Sequence, residues 1–566
     1  MQLRFDRVEV RADHPSAVEV SWRIEAGHLR WNVANGAAEP VAVTSVAVVA
    51  RLEGAVEPLR VLCHGYQSWS PTRVATFRVD QDPSRAEGVP GLVLGMYHAD
   101  PSVAEPDELR SELVTVLRDA TGALVVLGFL GATEHDGTIR VRPARDGSAA
   151  IEVWIEAHLG GAVLPDGDER LLHEVWIAEG EQDPASLLER WARRLGRAAD
   201  ARVSAPYQVG WCSWYHYFHD VSEAALRANL AEAGRWPFEV FQLDDGYQPA
   251  IGDWLGTNER FPTPLDGIAA AIAAEGCTPG IWLAPFLAAP DSEVAQAHPD
   301  WFAHHGSHRL AGMLNEGWGG WVHVLDTTHP EVQAHLEAVA AELVALGYPY
   351  LKLDFTYAPS LPGAYHDPTQ TPAQRVRAGF DAIRRGAGDD AFLLGCGAPL
   401  GPTVGVVDGM RIGPDVAPRW LPDTSGWHPP GHEGVLPATV NAWRNTLARS
   451  FTHRRLWVND PDCLMLRTAH TDLTADQVRA WALAVAASGG MALVSDDLAL
   501  LGGDARSLLD EVLTVGRAVD AEAVAAGPPR CEDLLDADPP TRLLTAAWEL
   551  VGDPAGGVAH LQGRLA

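Results

Sequence analysis

The sequence predicts a multidomain chain with an N-terminal β-sandwich, a central (β/α)8 TIM barrel and a small C-terminal β-domain. Three observations carry this reading. The hydropathic pattern changes near Arg202, from short runs of period two to apolar strands alternating with longer amphipathic stretches. Eight such strands can be counted before residue 510, which closes a parallel barrel economically. Most of these strands begin apolar and end in charged or hydrogen-bonding residues, as expected where a barrel builds a site on its C-terminal face.

Residues 1–202 contain VAVTSVAVVARL, RVLCHGYQSWS, LVTVLRDATGALVVLGFL and AAIEVWIEAHL, separated by Gly, Asp and Pro turns, which reads as a large sandwich. A helix over about Pro184 to Ala198 leads into the barrel, residues 203–510. Its strands are expected at VGWCSW (from Val209), VFQLDD (Val240), PGIWLAPF (Pro279), YLKLDF (Tyr350), FLLGCG (Phe392), DGMRIGPD (Asp408), LWVNDPD (Leu456) and MALVSDD (Met491). SEAALRANLAEAG, PLDGIAAAIAAEG and PEVQAHLEAVAAELVALG supply helices with Ser or Pro near the start and Gly at the end. Residues 511–566 hold one helix and a few short strands, the expected C-terminal β-domain.

With 43 basic and 75 acidic residues, the 566-residue chain carries a formal charge of -32, which disfavours nucleic acid and anionic membranes as partners. MQLRFDRVEV lacks the apolar core of a signal peptide, and the longest apolar stretch, Trp481 to Val494, is interrupted by SGG. A cytoplasmic location is expected. Six cysteines, Cys63, Cys212, Cys277, Cys396, Cys463 and Cys531, lie far apart without a CxxC pair, so reduced thiols are expected. Of the 43 basic residues only Lys352 is a lysine, which points to a position that needs a compact ammonium.

Several strand ends carry acids: Asp244 and Asp245, Asp354, Asp415, Asp460 and Asp462, and Asp496 and Asp497. Cleavage of a glycosidic bond needs two such groups, one charged and one protonated. Asp354 stands out because Lys352, two residues earlier, shares its side of the strand and favours a charged carboxylate. Its negative charge in turn favours a protonated Asp415 two strands away. Trp211, Trp214, Tyr215, Tyr217, Tyr247, Trp254 and Trp282 gather on the first three strand ends, where aromatic faces suit a sugar ring or simple barrel packing. Neither a Gly-rich phosphate loop nor an HExxH metal motif is present, and neither a metal nor an organic cofactor is expected.

The motifs WCSWYHYF (211–218), FQLDDGYQ (241–248), GDWL (252–255), GIWLAPF (280–286), KLDF (352–355), GCGAPL (395–400), DGMRIGPDVAP (408–418) and NDPDC (459–463) together resemble glycoside hydrolase family 36, in particular its shorter prokaryotic α-galactosidases. The resemblance covers about 207–500 and extends weakly to HGYQSWS (64–70). It implies hydrolysis of terminal α-D-galactosyl residues with retention of configuration, Asp354 acting as nucleophile and Asp415 as acid/base. It also implies that Asp244 and Asp245 hold the axial 4-hydroxyl and the 6-hydroxyl, and that Lys352 and Arg411 are hydroxyl-binding cations. Cys396 and Gly397 would face the 2-position, Trp214, Tyr215, Trp254 and Trp282 would form an aromatic wall, and the β-domain would lend Trp69.

The same two acids would serve an α-N-acetylgalactosaminidase or a galactosyl transferase of the raffinose-synthase kind. A non-catalytic sugar-binding protein would have lost an acid, and both are present. An inverting hydrolase would hold its carboxyls about 6.5–9.5 Å apart instead of about 5–5.5 Å. Residues 304–321, between strands three and four, match no motif, which leaves a lid or a subunit contact open; self-association of the chain is equally open.

Overall fold

The computed structural model describes residues 1–78, 91–102, 105, 107–180, 183–426, 428 and 433–564. Two antiparallel sheets form the N-terminal part. One runs in the order Gln2–Ala12, Val41–Glu53, Ile151–Leu164, Asp136–Pro143, Leu109–Glu112, and the other has eight strands, including His28–Asn35, Leu124–Phe129 and Val114–Arg118. Residues of period two from both sheets meet in one core, for example Val46, Val48 and Ala50 with Val125, Leu127 and Phe129. Leu124 and Val126, on the opposite face of their strand, pack instead with Leu187, Leu188 and Trp191 of the helix Pro184–Ala198 and with the barrel. That strand is therefore buried on both faces, which explains why LVVLGF is continuously apolar.

All eight barrel strands occur where the sequence places them: Val209–Cys212, Val240–Leu243, Thr278–Leu283, Tyr350–Leu353, Phe392–Gly395, Gly409–Arg411, Val458–Asp460 and Ala492–Val494. They pair in parallel in chain order, and the first strand pairs with the eighth. Met491 N donates to Asn459 O at 2.9 Å across the remaining seam. Each regular strand is short, and the site-facing residues lie in its last residues or just beyond them. The helices are capped as their sequences suggest: Thr371 with Gln374, and Thr474 with Gln477, form reciprocal capping boxes.

The helix after the eighth strand spans Gly503–Ala525 and packs on Ala475–Ser488, so the expected boundary at 510/511 falls within it. A four-stranded antiparallel sheet follows, Arg530–Cys531, Arg542–Leu544, Trp548–Asp553 and Val558–Gly563. Among the described residues, no helix is long and apolar enough to cross a membrane.

The N-terminal part is stitched to the barrel through residues 65–72. Ser68 N donates to Ala398 O at 2.9 Å, Leu400 N to Tyr66 O at 3.0 Å, and Thr72 N to Asn445 Oδ1 at 2.9 Å. At the centre of this junction Arg449 is fully buried. Its guanidinium donates to the carbonyls of Ser68 (2.7 Å), Ser70 (2.7 Å), Ile412 (2.8 Å), Gln67 (3.2 Å) and Gly65 (3.3 Å), and to Thr72 Oγ1 (2.9 Å). Replacing Arg449 by methionine strands these acceptors, and a loss of about 3 kcal/mol is expected from chemical denaturation. Arg449→Lys, which keeps the charge but not the planar fork, should recover only a minor part. Denaturation midpoints equal to the wild type would show that the junction does not depend on this side chain.

Candidate functional site

At the C-terminal rim of the barrel, strand two ends in Asp244 and Asp245, which are 2% and 3% exposed. Asp244 Oδ2 accepts from Lys352 Nζ at 2.8 Å and Gln242 Nε2 at 2.6 Å, while its Oδ1 accepts from Asp245 N at 2.9 Å. Lys352 lies 3.8 Å from Asp354 Oδ2, so its tighter partner is Asp244 and not the acid two residues along its own strand. Burial opposes the ammonium charge, but Asp244 and Asp354 outweigh it and raise its pKa well above the ordinary value.

Asp354 stands just past strand four and is 7% exposed. Trp282 Nε1 donates to its Oδ2 at 3.0 Å and Phe355 N to its Oδ1 at 2.8 Å. Phe355 has φ +53°, a conformation that costs a non-glycine residue about 1 kcal/mol and is held here by packing. Its ring meets Trp69 at 5.1 Å and Trp318 at 4.8 Å.

Asp415 follows strand six and keeps 34% of its side chain open. Its pKa is raised, first by desolvation and then by the charge of Asp354, with Arg411 opposing. Arg411 is buried and spreads its fork over three carboxylates: Nη1 to Asp415 (3.1 Å), Nε to Asp460 (3.1 Å) and Nη2 to Asp462 (2.8 Å). Asp462 accepts the Tyr215 hydroxyl as well, and burial lifts its pKa to about 7.

Trp69, from the N-terminal part, lies directly over Gly397: a Cβ there would approach its ring to 2.8 Å and Phe355 N to 3.0 Å, and Gly397 has φ +52°. Cys396 is fully buried beneath it. Trp214, half-buried on the rim, meets Phe218 at 5.3 Å and His219 at 5.0 Å. Trp254 stands behind Trp282, edge to face at 5.8 Å, and Tyr215 is buried behind Arg411 with its hydroxyl on Asp462. Trp282 and Tyr215 therefore touch acids directly, whereas Trp69, Trp214 and Trp254 pack on their neighbours Phe355, His219 and Trp282.

Sequence reasoning did not single out three neighbours of this site. Trp318 Nε1 donates to Asp245 Oδ2 at 2.7 Å, and His219 Nδ1 lies 3.3 Å from the same oxygen, which raises the His219 pKa. The Tyr97 pKa is pushed up to about 12, by burial first and then by Asp415. Trp318 lies in NEGWGGW, where a glycine-flanked tryptophan in an unassigned insertion was the available signal. His219 adjoins the WCSWYHYF motif; Tyr97 had no signal. Elsewhere, Asp100, Glu156 and His158 cluster with metal-ligand spacing, but Arg140 and Arg11 already pair with both carboxylates.

A melibiase family model matches residues 203–374. α-Galactosidase AgaA of Geobacillus stearothermophilus is 27% identical over 191 residues, 32% of this chain and 26% of AgaA. The matched segment thus spans about a quarter of that relative. Among solved structures, TtGalA, an α-galactosidase from Thermus thermophilus in complex with p-nitrophenyl α-D-galactopyranoside, superposes with TM-score 0.69 at 27% identity, covering 91% of this chain and 94% of that one. Its complex with stachyose gives TM-score 0.68, covering 89% and 99%. The structure of AgaA, described as a GH36 enzyme, gives TM-score 0.63 at 14% identity, covering 97% and 77%, a likeness of fold alone. By domain match the chain is similar to melibiases over residues 203–374, and its architecture is that of TtGalA, with a fold shared by the glycoside hydrolase family 36 enzyme AgaA.

Proposed function

We propose that the protein is a retaining α-galactosidase that hydrolyses terminal α-D-galactosyl residues of raffinose- or melibiose-type oligosaccharides. The observation that carries this reading is the pair Asp354 and Asp415 on one barrel rim, one acid receiving the Trp282 N–H and facing Lys352, the other biased toward its protonated form. The stachyose and nitrophenyl galactoside complexes of TtGalA support the substrate class.

In the first step Asp354 attacks the anomeric carbon while Asp415 protonates the departing glycosidic oxygen, leaving a galactosyl ester on Asp354. Asp415, now charged, takes a proton from water, which displaces Asp354 from the opposite face and restores the original configuration. Asp244 and Asp245 hold the axial 4-hydroxyl and the 6-hydroxyl. A glucoside, with an equatorial 4-hydroxyl, would forgo the hydrogen bond that an axial hydroxyl makes to the remaining lone pairs of these carboxylates and should react slower by roughly 10^4-fold. The Trp69 ring over Gly397 leaves little room beside the 2-position, which favours galactosides over 2-acetamido sugars. Six buried free thiols support a reducing, cytoplasmic setting.

A panel of nitrophenyl glycosides tests the activity, with α-galactoside turnover lost in Asp354→Ala by at least roughly 10^3-fold. Azide then separates the roles. Asp354→Gly with azide should give the β-galactosyl azide, and Asp415→Gly the α-galactosyl azide; the reverse pattern would exchange the two acids. The pH profile should fall on the alkaline side as Asp415 loses its proton. Because the Asp354 charge raises the Asp415 pKa, Asp354→Asn should move the Asp415 titration to lower pH, measured by carboxyl NMR. An unmoved or rising titration would contradict the coupling.

A further inference from the structure

The insertion between strands three and four reaches into the site through a single side chain. Strands Ala311–Asn315 and Gly320–Val324 pair antiparallel, and one 3-10 turn, Glu316–Trp318, joins them. Asn315 Oδ1 accepts Gly317 N at 2.9 Å and fixes the turn. The turn crosses His219 so closely that a Cβ on residue 317 would lie 2.5 Å from the imidazole. Glycine at 317 is what allows the approach.

Beyond it, the Trp318 ring meets Trp282 at 6.1 Å and Phe355 at 4.8 Å, and its Nε1 donates to Asp245 Oδ2 at 2.7 Å. Gln248 Nε2 holds the other oxygen of Asp245 at 2.6 Å. The two neighbouring acids are thus held differently. Asp244 is neutralised by Lys352, whereas the ion-pair partner of Asp245 is His219, and two neutral donors set its rotation. A buried carboxylate with donors on both oxygens presents its remaining lone pairs in a fixed direction.

We propose that Trp318, backed by His219, is a positioning residue that aims the Asp245 carboxylate at the 6-hydroxyl of the galactosyl group, making the 311–324 hairpin a specificity element for that position. This rests on the α-galactoside reading above. It differs from a packing role in one respect: only a substrate bearing a 6-hydroxyl should notice the loss of the indole N–H.

The test compares kcat/KM for 4-nitrophenyl α-D-galactopyranoside and its 6-deoxy counterpart in the wild type, Trp318→Phe, His219→Ala and His219→Asn. Phenylalanine keeps a ring between Trp282 and Phe355 and removes the donor. The expected result is a loss of about tenfold on the galactoside with the 6-deoxy rate nearly unchanged, as for one charge-assisted hydrogen bond. His219→Ala should narrow the preference in the same sense, and His219→Asn, which keeps a donor near Nδ1, should restore much of it. Equal losses on both substrates would reduce Trp318 to packing and overturn the proposal. A wild type that cleaves both substrates equally would also overturn it while leaving the α-galactoside activity standing; a wild type that cleaves neither would remove that reading and this one together.

Discussion

The architecture depends on a buried cation that has no carboxylate partner among the described residues. Arg449 is enclosed between the barrel and the 65–72 loop, and burial lowers its pKa to about 9, yet carbonyl oxygens surround its fork. Desolvating a charge is unfavourable unless fixed dipoles replace the lost water, and five carbonyls and a hydroxyl do so here. A flexible loop could not supply this shell, so the cation and the loop order each other. The consequence is positional: with Gly65, Gln67, Ser68 and Ser70 held from one centre, Trp69 has nowhere to rest but against Gly397. A side chain of the N-terminal part thereby becomes part of the barrel's rim.

The division of labour between the two cations of the site follows from their shapes. Asp244, Asp245, Asp354, Asp415, Asp460 and Asp462 crowd a rim that contains one lysine and one arginine beside them. Lys352, a point charge, fits between Asp244 and Asp354, whereas Arg411 needs a planar fork to reach three carboxylates at once. Even with His219 beside Asp245, carboxylates outnumber the cations at this rim. Burial raises the pKa values of Asp415 and Asp462 and favours the protonated form there. Desolvation first, and the neighbouring carboxylate charges after it, therefore bias one acid toward its protonated form.

Local pattern made the barrel legible. Most strands are short apolar runs that end in polar residues, so the sequence alone assigns Asp244, Asp245, Lys352, Asp354, Arg411 and Asp415 to strand ends, and the structure brings them to one rim. Contacts between distant segments were not legible. Spacing suggested Lys352 for Asp354, but within a barrel interior the lysine reaches across to Asp244. Tyr215 and Trp254 belong to the right motifs yet stand behind the groups that face the cavity, because periodicity assigns a residue to a face and not to a depth. Tyr97 and Arg449 meet the site region from distant segments where no local pattern marks them, and only the glycines around Trp318 marked that residue. The boundary expected at 510 cut a helix because its apolar stripe continues to Ala523, and Gly516 lies buried within the helix without ending it.

The orientation of Asp354 brings these distant contacts together. Phe355 N can donate to Asp354 Oδ1 only because the backbone turns into the left-handed region immediately after the strand, a conformation phenylalanine does not favour. Two rings brace it there, Trp69 from the N-terminal part and Trp318 from the hairpin, while Tyr357 N donates to Gly397 O at 2.7 Å and fixes the following turn. The barrel alone supplies the carboxylate, but its aim is over-determined by three segments that the barrel strands do not contain. An isolated barrel with the same strand ends would hold every proposed catalytic group and still lack the contacts that point the nucleophile.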